Sequence, residues 1–415
     1  MIQAVLAMAF TLSGTGLGFP APTTFASIPF PAPAAGHQAA PAGQAGRTPA
    51  GQATPVPTDP WPAWPAPPIY RGKPRAYTAG VDLTVSLAGD GSFGPLVGEG
   101  GGTLTISAVT ADPFCVADLQ GLQLTHGMDG HRLEGPENAD QRFLVFQVPR
   151  KALGALQIRA SWPVISFASL IDEKAAAQIA WPRAWTPEDA MYLQPTAFIE
   201  SDHERFKEYV QSVAGDRLRR TPIYLAAKDL VRSTILEFRV INQTTMVMQE
   251  PGLARGYRVV GALQATSELA GAPADLVCAC VAVLRAAGIP ARPVIGADYG
   301  RDHKEKSKLP RGRTSMCVWA EFKLPGAGWV PFDPWQMRGQ GLAQKDVAAA
   351  WRWFGSIEDL NRRIALGYDF APYAFGRTPD WPAGWSWRVN ERSQPPGQVT
   401  NVITPIMVSR GSVRP

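Results

Sequence analysis

Gly271-Ala-Pro-Ala-Asp-Leu-Val-Cys-Ala-Cys-Val-Ala-Val-Leu-Arg-Ala-Ala-Gly-Ile-Pro-Ala-Arg292 is the stretch from which the rest of the chain can be read. Leu276, Ala279, Cys280, Val283 and Leu284 recur at helical spacing, and Gly288 followed by Pro290 is a stop signal. The spacing therefore predicts one buried helix of roughly 14 residues. Downstream, Ser315-Met-Cys-Val-Trp-Ala-Glu-Phe322 and Gly328-Trp-Val-Pro-Phe-Asp-Pro334 read as two paired strands. Leu324-Pro-Gly-Ala327 joins them, and its Pro-Gly is a hairpin-turn signal.

Together the helix, the Gly288-Ile-Pro-Ala-Arg292 turn, the Trp319-Ala-Glu321 strand and the Gly328-Trp-Val-Pro-Phe-Asp-Pro334 strand resemble the core of the transglutaminase-like family, a branch of the papain-like cysteine hydrolases. The resemblance covers about residues 186–340. It implies a Cys at the N-terminus of the helix, a His at the start of the first strand and an Asp near the end of the second. A thiol becomes a thiolate when a helix dipole and an imidazolium lie beside it, and a carboxylate then holds the imidazole in the right tautomer. Counting back from Arg285 and Gly288, the nucleophile position falls on Pro273. Counting from Trp319 and Glu321, the base position falls on Cys317, and Asp333 alone keeps the residue type of the family. Pro273 also lacks the backbone N–H that would help hold an oxyanion, although proline suits the first turn of a helix.

Two thiols are candidates to replace the missing nucleophile. Cys278 lies five residues into the helix, beyond the turn where the dipole lowers a thiol pKa, and it reads as a buried structural thiol. Cys317 has Asp333 across the hairpin, but a carboxylate raises a thiol pKa, and His303 reaches it only if the charged loop folds back. The chain thus reads as a catalytically degenerate relative, an exported binding or scaffolding module for peptide, protein or cell-envelope polymer in the residual cleft. The alternative is an active thiol peptidase or transamidase with a relocated Cys-His-Asp triad.

The 415 residues, 45% hydrophobic and 18% charged, can bury at least two ordinary cores, and no apolar run is long enough to span a bilayer. The net charge of +5 is scattered apart from Lys304–Lys308 and Arg311–Arg313, which read as a solvated loop and not a nucleic-acid patch. No cofactor or metal is expected. Gly98-Glu-Gly-Gly-Gly102 lies between strand patterns and opens no helix, and His126-Gly-Met-Asp-Gly-His131 reads as a polar hairpin. Four cysteines, at 115, 278, 280 and 317, read as reduced buried thiols.

The expected fold class is α+β: an N-terminal antiparallel β-sandwich followed by a transglutaminase-like, papain-like core of helices packed on an antiparallel sheet. Residues 1–26 resemble a secretory signal with an apolar stretch from Ala4 to Leu12, although no Lys or Arg precedes it, and export to the periplasm, cell envelope or exterior is the expectation. Residues 27–72 read as a Pro/Ala-rich linker and 73–185 as the sandwich, where Val81-Leu83-Val85-Leu87 and Leu144-Phe146-Val148 alternate with polar residues. In residues 186–340, Thr186-Pro187 and Thr221-Pro222 open helices, and Ser201–Glu204 reads as a capping box. Residues 341–415 form an extension in which Asp346–Trp351 looks helical, Arg363–Tyr368 adds a strand, and Trp381, Trp385 and Trp387 either plug the edge of a small core, the favoured reading, or line a groove.

Overall fold

The helix expected from the central stretch spans Pro273–Ala286, 14 residues, with proline in its first turn and Ala272 as N-cap. Every side chain from Pro273 to Leu284 is buried, as befits a helix apolar on all faces. It packs against the helices Glu204–Val213, Ile223–Glu237 and Ala262–Glu268 and against two strands of a sheet. Gly288, at φ +79°, ends it, with the Ile289 N–H donating to Leu284 O. A Cβ at Gly271 would stand 2.7 Å from the Asp275 carboxylate, so glycine is what lets the first turn close on itself.

The computed structural model describes residues 65–87, 102–135, 140–148, 155–240, 246–250, 253–298, 315–371, 385–389, 399–403 and 406–410. The expected signal, most of the linker, Gly98–Gly101, the basic loop with His303, and Trp381 lie outside them.

The sheet beneath the helix has four antiparallel strands in the order Gly328–Phe332, Ser315–Leu324, Ala291–Asp298 and Arg363–Gly367. The first two are the expected hairpin, and the last is the strand expected from Arg363–Tyr368. The register places Arg292 opposite Glu321, Gly296 opposite Cys317 and Asp298 opposite Arg363. A Cβ at Gly296 would run into the Trp319 ring, so this glycine makes room for the indole.

The alternating segments near the N-terminus form antiparallel sheets, as expected. One is built on a long ribbon of Ile69–Leu87 against Ala155–Ile171, and the other joins Gly102–Val109, Gln141–Val148 and Gly130–Glu134. Their inward residues, among them Leu104, Phe146 and Trp162, share one apolar cluster with Leu276, Val294 and Phe322 of the helical region. The strands Val399–Ile403 and Ile406–Arg410 pair with Ile69–Leu87, and Trp385–Val389 pairs with Gly102–Val109, so the end of the chain returns to the sheets near its beginning. The fold is therefore α+β with antiparallel sheets. No helix among the described residues is long and apolar enough to cross a membrane.

Two local expectations about helices fail. Asp346–Trp351 forms turns and not a helix. Trp351 Nε1 donates to Asp346 O, the Asp346 carboxylate accepts from Ala348 N, and Lys228 Nζ takes Ala349 O, so the groups of a helical ladder have other partners. The capping box at Ser201 is also absent: Ser201 is buried, and the helix begins at Glu204 with His203 as N-cap, its Nδ1 accepting from Arg205 N at 3.2 Å.

Candidate functional site

The motif residues that carry the resemblance are tied to one another. Arg292 Nε donates to Glu321 Oε2 at 2.9 Å, and both side chains are fully buried. Arg292 Nη1 donates to Asp140 Oδ2 at 2.8 Å, and the guanidinium lies 3.6 Å over Tyr368 and 4.1 Å over Trp329. Asp112 completes the cluster, accepting from the Tyr368 hydroxyl at 3.0 Å. One cation thus serves a group of carboxylates. Burial, with the negative charge of Asp112, pushes the Glu321 carboxyl up to about 8, and burial likewise raises Asp112.

Pro273 occupies the first turn of the central helix and is buried. Two residues on, the Asp275 carboxylate accepts from Val260 N at 2.7 Å with Oδ1 and from Ala272 N at 2.8 Å with Oδ2. The mouth of the helix therefore carries neither a thiol nor, at 273, an N–H to donate.

Asp333 ends the strand Gly328–Phe332 and caps the short helix Pro334–Met337, accepting from Gln336 N at 3.0 Å with Oδ1. That short helix packs on the central one. The other oxygen, Oδ2, lies 2.8 Å from Arg363 Nη1, an ion contact without aligned hydrogen-bond geometry. Arg363 comes from the outer strand of the sheet, with Asp298 Oδ2 3.7 Å from its Nε and its guanidinium over the rings of Trp319 and Trp353. Burial disfavours its charge, but the Asp333 and Asp298 carboxylates outweigh that and hold its pKa above the ordinary range.

Cys317 faces the same group. Burial pushes its thiol up, Arg363 opposes this, and Asp298 and Asp333 push it further. It stays a thiol and not a thiolate at neutral pH. Cys317, Asp333 and Arg363 thus form one electrostatic group, and Pro273 lies in the first turn of the helix that packs on the strand of Cys317. Cys278 is fully buried, its thiol raised by burial and by Asp275.

The described histidines are engaged elsewhere. His126 and His131 lie 2.9 Å apart, and His203 caps its helix. The hairpin expected there does not form: the strand of His126, Gln123–His126, pairs with Ala155–Ile171, and the strand of His131, Gly130–Glu134, pairs with Gln141–Val148, so the turn between them crosses from one sheet to the other. No group of three metal-ligating side chains occurs among the described residues. Sequence reasoning missed Arg363 and Asp298. Arg363 belongs to a strand that was legible, but nothing in the order of residues says that its side chain reaches a carboxylate thirty positions earlier.

Residues 238–334 match the family model of the transglutaminase-like superfamily. An uncharacterized protein from Haemophilus influenzae is 32% identical over 133 residues, 29% of this chain and 31% of that protein, so the match spans about a third of the relative's length. Among solved structures, a candidate cysteine protease from Cytophaga hutchinsonii is similar with a TM-score of 0.49 and 14% identity, over 84% of this chain and 95% of that one. The periplasmic domain of TgpA from Pseudomonas aeruginosa aligns with a TM-score of 0.30 and 15% identity, over 65% of this chain and 94% of that one. The matched stretch includes the central helix, the hairpin and Asp333, and the chain accordingly carries a domain of the transglutaminase-like superfamily.

Proposed function

We propose that this transglutaminase-like protein is catalytically degenerate and acts as an exported binding or scaffolding module, with Pro273, Cys317 and Asp333 standing at the family's catalytic positions. The observation that carries the reading is the ion contact between Arg363 and Asp333. A carboxylate that would orient an imidazole is spent on a guanidinium and a helix cap, and the thiol beside it is held protonated. Losing a single oxyanion donor costs on the order of a hundredfold in rate, and proline at 273 removes nucleophile and donor together. Next to Asp333 a cavity of about 460 Å³ is lined by Val240, Trp335, Gln336, Arg338 and Gly339. Its aromatic, amide and guanidinium groups suit a peptide or cell-envelope chain. The apolar stretch Ala4–Leu12 supports export.

The test is incubation of the full chain with an amine donor and a glutamine-containing acceptor, before and after iodoacetamide. No thiol-dependent hydrolysis or transfer is expected. Turnover abolished by iodoacetamide would overturn the reading in favour of an active thiol peptidase or transamidase. Retention on immobilised denatured casein or purified peptidoglycan, reduced by Trp335→Ala, is the matching positive result; retention on neither would remove the binding half of the proposal.

A further inference from the structure

A second cavity, of about 350 Å³, opens between the helices Glu204–Val213 and Ile223–Glu237 and reaches Val283 of the central helix. Val283 stands ten residues past Pro273, about 15 Å of helix rise, so this cavity is separate from the site described above. Its size falls at the small end of the range for small-molecule pockets.

The lining divides by chemistry. Phe206, Phe238 and Val283 are almost wholly buried and supply apolar walls. Leu269 also lines the cavity, 46% exposed and at φ +49°, a left-handed conformation that leucine rarely adopts. Leu269 is the C-cap of the helix Ala262–Glu268, its N–H donating to Ala265 O and Thr266 O, and the left-handed turn there aims its side chain off the helix end. The Tyr209 hydroxyl is sealed from solvent beside Thr234 and Glu237. Burial and the nearby Glu237 carboxylate hold that hydroxyl above its ordinary pKa, so it stays neutral. Glu208 and Glu237 line the cavity as well, both exposed, and neither is in an ion pair among the described residues. The one cation of the lining, Arg205, donates through Nη2 to Thr266 O at 2.8 Å.

We propose that this cavity binds a primary alkylammonium group with an apolar stem, of the size of a lysine side chain. The stem lies against the phenylalanine rings and Leu269, where aromatic faces also attract a cation. An ammonium has three donors and no acceptor, and the two carboxylates and the Tyr209 oxygen supply three acceptors. The proposal stands independently of any role for residues 273, 317 and 333.

Saturation-transfer NMR on the full chain with n-pentylammonium, 1-pentanol and pentanoate tests it, since the three probes share a stem and differ in the charge of the head. Pentylammonium is expected to bind best. Replacing both acids, Glu208→Gln with Glu237→Gln, should weaken it about tenfold and leave pentanol unchanged, the effect of losing a charged contact. Both acids are exposed, so the variant should melt with the wild type, and Leu269→Gly provides a second variant that should weaken ammonium and alcohol alike. Equal binding of the three heads, an unchanged double variant, or no saturation of any probe would each overturn the proposal. Competition by Nα-acetyl-lysine methylamide assigns the group to a lysine of a partner protein; binding of pentylammonium without such competition assigns it to a free amine.

Discussion

Arg363 Nη1 stands 2.8 Å from Asp333 Oδ2, with the two side chains 5% and 2% exposed. Arg363 lies on an outer strand of the sheet and Asp333 directly follows the strand Gly328–Phe332, with Asp298 Oδ2 3.7 Å from the guanidinium Nε. Each charge helps to keep the other in the interior, with Asp298 beside the guanidinium and Gln336 N on the carboxylate.

Removing Asp333 therefore strands a buried cation and opens a helix cap. Asp333→Ala is expected to cost about 3–5 kcal/mol, the range for breaking one side of a buried pair. Asp333→Asn should cost less, because asparagine caps a helix as well as aspartate does and Asp298 remains near the guanidinium. Equilibrium denaturation in urea reads both values, and midpoints equal to the wild type would show that the pair contributes nothing.

The Glu321 carboxyl gives the stability a pH dependence of definite sign. Burial first, then Asp112, raises its pKa from 4.5 to about 8, while the pairing with Arg292 opposes the shift. Between those values the folded chain holds a proton that the unfolded chain has released. The contribution is thus fully present below about 4.5 and is lost as pH rises through about 8. Glu321→Gln should flatten the decline seen between pH 5 and pH 8 in a series of urea titrations. A variant whose stability falls with pH as steeply as that of the wild type would assign the decline to other buried acids, such as Asp112.

Rebuilding the family's chemistry should need three changes and not two. Pro273→Cys with Cys317→His supplies a thiol and an imidazole, but Arg363 would still hold Asp333 and would disfavour an imidazolium beside it. Adding Arg363→Met frees the carboxylate to orient the imidazole. The introduced thiol should then be alkylated near pH 6 faster than a free thiol, which is under about one per cent ionised there, whereas the double variant should show little acceleration. The native thiols give a low background, since burial pushes Cys115 up to about 12 and raises the other three as well. A folded triple variant whose thiol reacts no faster than free cysteine would sink the assignment of these positions.

The sequence by itself determined what depends on neighbours along the chain. Apolar residues on every face between Pro273 and Ala286 require a buried helix, Gly288 ends it, and the Pro-Gly turn after Leu324 fixes the hairpin. The same local signals marked Arg363–Gly367 as a strand, yet misread Asp346–Trp351, because Trp351 and Lys228 take the carbonyls a helix would need. Only the tertiary structure decided what Asp333 does. A carboxylate acts on whichever donor stands within about 3 Å, and that donor is brought from the outer strand by the pairing of Asp298 with Arg363. That Pro273 and Cys317 stand where the resemblance implies a thiol and an imidazole was legible one residue at a time. The guanidinium that meets Asp333 was not, because charge pairing across a sheet follows register and distance in space, and neither is written in the local pattern of the chain.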